Sequence, residues 1–262
     1  MQQLRDLHVL ILGLGASGLA MARWCARHGA VVTVADTREA PPQLDTLRSE
    51  WPQVAFVGGS FTAALIEGTP IRAFFRSPGL APEVVAPVVD AARAAGLWQG
   101  GELSLFAAGL NDLKERFGYA PQVLAITGTN GKTTVTSLTG QLVARAGKTV
   151  KVAGNIGPTL LDTLGEAMAQ AEIDAPVLEQ REREEREAAA RQQAEQAAQL
   201  AQAQVAEQAP ATEDGLEQTD AASEETTESS EPEAAPVTVQ APAQRSAMAR
   251  VLPEVWVLEL SS

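Results

Sequence analysis

Val123-Leu124-Ala125-Ile126-Thr127-Gly128-Thr129-Asn130-Gly131-Lys132-Thr133-Thr134 lies near the middle of the chain, and its reading decides the fold. Val123 to Thr127 is an apolar run with the character of a buried strand. It passes straight into a glycine turn. Thr134 to Ala146 then has helical character, with Gly147 placed as its stop. Gly-Lys-Thr at a helix N-terminus is the working end of a phosphate-binding loop. Its backbone N–H groups cradle phosphates, Lys132 can reach between the β and γ phosphates, and the Thr133 hydroxyl can ligate Mg2+. The full G-x-x-x-x-G-K-[ST] pattern requires glycine at position 126, where this chain has Ile126. The loop is therefore an ATP-binding variant with its first glycine at Gly128. Its ATP contacts are expected at Gly128, Thr129, Asn130, Gly131, Lys132, Thr133 and Thr134.

Toward the N-terminus a second glycine turn has the same setting. His8 to Leu12 reads as a buried strand, followed by Gly13-Leu14-Gly15-Ala16-Ser17-Gly18 and a helix from Leu19 to His28. Val31 to Ala35 is the next strand and ends at Asp36, 18 residues past Gly18. Strand, helix, strand is a βαβ start, which implies a parallel sheet. G-x-G-x-x-G there signifies a nucleotide or a dinucleotide, with an acid able to reach a ribose or a base. Weaker strands are expected at Val54 to Val57 and Ile71 to Phe75, with the turn Ser77-Pro78-Gly79 after the latter. A helix is expected from Pro87 to Ala95. The periodicity breaks near residues 107 to 121, at Gly109, Asn111, Gly118 and Pro121, where a domain boundary is placed. His8, His28 and Cys25 read as packing residues, and a single cysteine excludes an internal disulfide.

Toward the C-terminus, Val150 to Ala153 reads as a strand ending in Gly154-Asn155-Ile156-Gly157. Val255 to Leu260 is another, carrying Glu259 near its C-terminal end. That edge of a parallel sheet is where ligands bind, so Glu259 either helps to hold Mg2+ or is a strand-end carboxylate facing solvent. Between these strands, residues 177 to 245 differ in kind. They hold 16 acids and 5 arginines, and only seven Val or Leu among 69 positions. Glu179 to Gln208 can form an exposed helix, and Pro210 to Gln244 cannot bury enough apolar surface to order itself. The segment is read as a disordered acidic insertion. It carries −11 of the chain's net charge of −13. The remainder is nearly neutral, so no basic face supports nucleic-acid binding. No run of 18 apolar residues marks a membrane span, and a soluble cytoplasmic protein is expected.

GTNGKTT (Gly128 to Thr134), AGNIG (Ala153 to Gly157) and VLELSS (Val257 to Ser262) together resemble the Mur ligases, ATP-dependent amide-bond ligases of peptidoglycan synthesis. GLGASG (Gly13 to Gly18), ADTR (Ala35 to Arg38), SPG (Ser77 to Gly79) and GELSLF (Gly101 to Phe106) look like the branch of that family that adds D-glutamate to UDP-N-acetylmuramoyl-L-alanine. The resemblance implies an α/β protein with a Rossmann-like N-terminal domain at 1–110. A truncated P-loop (mononucleotide-binding) α/β domain follows at 111–262, interrupted at 177–245. It implies that Ala16, Ser17, Gly18, Asp36, Thr37, Arg38, Gly79, Asn155 and Ser261 contact the UDP-linked precursor. ATP and Mg2+ are the implied cofactors, with Thr133 and Glu259 on the metal and Lys132 as the catalytic residue. A monomer is expected.

Past its ELSS string the family carries a Mg2+-binding histidine, a carbamylated lysine and an amino-acid-binding domain, none of which this sequence contains. The expectation is a fragment that binds nucleotides without completing the reaction. Two alternatives stay open: an NAD(P)-type oxidoreductase using Gly13 to Gly18 and Asp36, and a scaffold acting through the acidic insertion.

Overall fold

The computed structural model describes residues 1–155, 157–207 and 246–261. Its first sheet is five-stranded and wholly parallel. The strands are β1 (His8–Leu12), β2 (Val31–Asp36), β3 (Ala55–Gly58), β4 (Ala73–Arg76) and β5 (Trp98–Gly100), in the order β3-β2-β1-β4-β5. Helices α1 (Ala16–Arg27), α2 (Leu44–Glu50), α3 (Pro82–Ala94) and α4 (Glu102–Phe117) belong to this half. The order reverses between β1 and β4, and in such sheets the crevice at that point takes the ligand. The second sheet is three-stranded and parallel: β6 (Gln122–Ile126), β7 (Val150–Gly154) and β8 (Val255–Glu259), with β8 in the centre. Helices α5 (Lys132–Arg145), α6 (Leu160–Glu207) and α7 (Ala247–Val251) accompany it.

Both sheets contribute to one apolar core. Ile11, Trp24, Phe75 and Phe106 from the first half pack in the same cluster as Leu161, Leu164, Trp256 and Leu258 from the second. Trp256 is fully buried, with Phe106 edge-on at 5.1 Å. Its indole N–H donates to Tyr119 Oη at 2.7 Å, and that hydroxyl donates to the Pro253 carbonyl at 2.5 Å, so the polar tips buried with the rings are satisfied.

Several expectations are corrected. β6 is exposed along most of its length, with Val123 at 44% and Leu124 at 40%. An apolar run fits a buried strand, but β6 is an edge strand of a small sheet. Helix α3 starts at Pro82, not Pro87. Pro82 takes the first-turn position, where its missing N–H costs nothing, and Pro87 lies inside the helix. Residues 107 to 117 are helical within α4. Gly109 does not break that helix. A Cβ there would come within 2.9 Å of the Trp24 ring and 3.0 Å of Leu164, so glycine lets α1 and α6 pack close.

The acidic insertion, from Glu179 on, is set apart from the rest of the chain as a second unit. Its described part, through Glu207, continues α6 and is helical, as expected for Glu179 to Gln208. Pairs at i,i+4 spacing, such as Arg181–Glu185 at 2.8 Å and Gln180–Glu184 at 2.7 Å, line this helix. Most of the stretch expected to be disordered, 208–245, lies outside the described residues. No helix among the described residues is long and apolar enough to cross a membrane.

Candidate functional site

The first glycine turn lies between β1 and α1. Gly18 has no room for a Cβ against the Gly13 carbonyl, which is how the helix approaches the strand so closely, and the space around Gly15 is open. The Ser77 hydroxyl donates to Gly13 O at 3.0 Å, tying the Ser77-Pro78-Gly79 turn after β4 to the turn after β1. No side chain caps α1, so its first amides are available to an anion.

Asp36, at the end of β2, is buried and fully engaged. Its Oδ2 accepts from the Leu14 amide at 2.7 Å and from Arg38 Nη2 at 2.8 Å. Its Oδ1 accepts from the Arg38 amide at 2.9 Å and Nε at 2.8 Å. Burial alone raises such a carboxyl. The hydrogen bonds from the Arg38 side chain, the Leu14 amide and the Arg38 amide outweigh it and hold Asp36 at about 2. Both oxygens are thus spent on shaping the turn. A dinucleotide-binding acid needs oxygens free for a ribose, so the geometry gives the oxidoreductase alternative no support. Thr37, Arg38 and Gly79 lie exposed around this turn, as does Ala16.

The second glycine turn joins β6 to α5. Gly128 has φ +142°, which L side chains rarely adopt, and Gly131 has φ +74°. Lys132 reaches back across the loop and donates from Nζ to the Gly128 carbonyl at 2.6 Å. No side chain caps α5 either. The Thr133 hydroxyl donates to Glu259 Oε1 at 3.3 Å. Glu259 is 5% exposed, which settles the open alternative: it does not face solvent. A buried carboxylate beside a hydroxyl, at the head of a phosphate loop, offers hard oxygen ligands. Mg2+ takes one or two such protein oxygens and completes its shell with phosphate and water, so the pair fits that ion. Among the described residues, no cluster of three or more His, Cys, Asp or Glu forms a metal cage.

A cleft of about 920 Å3 runs along the C-terminal edges of both sheets, and Ser17, Arg76, Glu102, Asn155, Glu259 and Ser261 line it. A second cavity of about 420 Å3 contains Thr133 and Thr136, and it shares Gly154 and Glu259 with the first. The structure therefore brings Ser17, Asn155, Glu259 and Ser261 together in one cleft. Asp36, Thr37, Arg38 and Gly79 do not line it; they surround the first glycine turn. Cys25 is a packing residue as expected: burial pushes its thiol up to about 12.

Two cleft residues had no role in the sequence reading. Arg76 ends β4. Glu102 begins α4 and is 8% exposed. Its Oε1 accepts the Leu161 amide at 3.0 Å. Burial pushes its carboxyl up, against hydrogen bonds from Leu161, Ser17 and Leu160. Glu102 lies inside the GELSLF string, but no acid spacing or glycine pattern marks it.

Comparison with known proteins gives two family matches: "Mur ligase MurD-like, N-terminal domain" over residues 7–98 and "Mur ligase middle domain" over residues 126–206. The chain is 64% identical over 169 residues to the UDP-N-acetylmuramoylalanine–D-glutamate ligase of Albidiferax ferrireducens, covering 64% of this chain and 33% of that protein. The protein of the same name from Polaromonas sp. is 47% identical over 266 residues, covering 69% and 44%. That from Ralstonia nicotianae is 59% identical over 162 residues, covering 61% and 32%. The chain thus spans between about a third and under a half of the length of these relatives.

Proposed function

The chain belongs to the Mur ligase family, and from that premise we propose that it carries the UDP-precursor and ATP sites of an enzyme that adds D-glutamate to UDP-N-acetylmuramoyl-L-alanine. The observation that carries this reading is one cleft lined both by Ser17 of the front glycine turn and by Glu259, which accepts a hydrogen bond from Thr133 of the phosphate loop.

In this reading the turn at Gly13 to Gly18, with Thr37, Arg38 and Gly79, takes the UDP end. Asn155 and Ser261 hold the precursor farther along the cleft. Gly128 to Thr134 holds ATP. The precursor's terminal carboxylate attacks the γ-phosphorus, and the bond to the β–γ bridging oxygen breaks, giving an acyl phosphate and ADP. The amine of D-glutamate then attacks the acyl carbon. Phosphate leaves, a proton is lost from nitrogen, and an amide remains. Lys132 loses its Gly128 contact to the incoming phosphate and stabilises the charge spread over the transferring group. Thr133 and Glu259 would hold Mg2+, which when bound neutralises charge on the phosphate oxygens.

In this reading residues 1–262 carry both nucleotide sites. The same reading divides the chain into a UDP-binding domain at 1–110 and a partial ATP-binding domain at 111–262, acting as a monomer in the cytoplasm. Calorimetric titration with UDP, ATP–Mg2+ and NAD tests it. Binding of UDP and ATP–Mg2+ without NAD is expected. Tight NAD binding without UDP binding overturns it.

A further inference from the structure

Five charged side chains line the large cleft: Arg76, Asp90, Arg93, Glu102 and Glu259. Four of them have partners. Arg93 Nη1 donates to Asp90 Oδ1 at 3.2 Å. Glu102 Oε1 accepts the Leu161 amide at 3.0 Å, and Glu259 Oε1 accepts the Thr133 hydroxyl at 3.3 Å. Among the described residues, no hydrogen bond or ion pair engages the Arg76 guanidinium. Its planar fork of N–H donors suits the paired oxygens of a phosphate.

Arg76 is tied to the front glycine turn by backbone geometry. It ends β4, where it stands opposite Leu12, the last residue of β1, in the parallel register. The next residue, Ser77, donates its amide to the Leu12 carbonyl at 2.9 Å and its hydroxyl to the Gly13 carbonyl at 3.0 Å. Strand order reverses between β1 and β4, so Arg76 stands at the switch point, on the edge where such sheets take a ligand. Alternation along β4 puts Arg76 on the face of Phe74, which packs with Val85 and Val88 of α3. Arg76 thus lines the cleft from the α3 side of the sheet, and Ser17 lines it from the first turn of α1.

The geometry points to Arg76 as a further binding residue for the UDP-linked precursor: its guanidinium pairs with both phosphates of the diphosphate, and so sets the front turn's preference for a nucleoside diphosphate over a monophosphate. The inference rests on the role given to the front turn under the proposed function. It supplies the cation for that turn, because the Arg38 side chain beside it already donates two hydrogen bonds to Asp36.

The test titrates UDP, UMP and UDP-N-acetylmuramoyl-L-alanine into the 262-residue chain and its Arg76→Ala and Arg76→Lys variants by calorimetry. EDTA is present, so that no metal bridges the phosphates. Arg76→Ala should weaken UDP and the precursor by about tenfold, as loss of a charge-assisted contact partly screened by solvent. It should weaken UMP less, so that the ratio of UDP to UMP affinity shrinks. Arg76→Lys keeps the charge without the fork and should recover part of that ratio. Raising NaCl from about 0.05 M to about 0.3 M should weaken UDP binding more in the parent than in Arg76→Ala.

Equal weakening of UDP and UMP would mark a merely structural role, and that result overturns the inference. So does UDP binding that Arg76→Ala leaves unchanged: Arg76 is then a solvated surface arginine or, if the precursor alone weakens, a ligand for some other part of it. A parent that binds neither UDP nor the precursor instead overturns the reading of the front turn, and the inference with it.

Discussion

The Thr133 hydroxyl stands 3.3 Å from Glu259 Oε1, joining the first turn of α5 to the end of β8 across 126 residues of sequence. The contact exists because β8 pairs with β6 in parallel register, Ile126 opposite Glu259, so the loop after β6 and the acid on β8 reach the same sheet edge. Two hard oxygens meet there without any histidine or cysteine, which suits Mg2+ delivered with a nucleotide better than a resident transition metal.

Glu259→Gln keeps the shape and removes the charge. It should weaken ATP–Mg2+ binding by about tenfold, or about 1.4 kcal/mol, and leave metal-free ATP nearly unaffected. Titrations with Mg2+ and with EDTA separate the two. An equal loss under both conditions would mean that Glu259 supports the loop without holding a cation.

Arg38→Ala tests the electrostatics of the front turn. Asp36 sits at about 2 in the folded chain against an ordinary 3.8. A depressed carboxyl contributes stability that is complete above its ordinary value and drains away as pH falls from about 4 through about 2. The Arg38 side chain is half exposed and screened, so its share is at most about 1 kcal/mol. Urea unfolding should show that gap between parent and variant at pH 7, narrowing toward pH 2. A gap that stays constant with pH would contradict the assignment.

The acidic unit should be dispensable for the remaining fold. Replacing residues 179–244 with a short Gly/Ser linker shortens a loop whose closure entropy changes by only about 0.6 kcal/mol per doubling. The main thermal transition should move by no more than about 3 °C. Loss of a cooperative transition on scanning calorimetry would show that the segment is part of the core.

Much of this was legible in the sequence because strand, glycine turn and helix follow one another within a few residues at both nucleotide turns. Asp36 and Glu259 were found because each ends an obvious strand. What escaped depends on distant partners. VLAI looks buried, but whether it is depends on what covers the sheet, and β6 lies at an edge. Gly109 looks like a break until Trp24 and Leu164 are seen against it. Glu102 has no local signature, since its amide partner lies 59 residues away.

The separation of the two nucleotide sites is tested most directly by crossed titration of Lys132→Ala and Arg38→Ala with ATP–Mg2+ and the UDP-linked precursor. Lys132→Ala should weaken ATP–Mg2+ by about 1.5–3 kcal/mol, the usual range for a hydrogen bond to a charged group. It should weaken ADP less and still let the precursor bind when no ATP is present. Arg38→Ala should do the reverse, weakening the precursor and sparing ATP. If Lys132→Ala binds ATP–Mg2+ as tightly as the parent, or if either variant loses both ligands equally, then Gly128 to Thr134 and Gly13 to Gly18 are not two separate nucleotide sites.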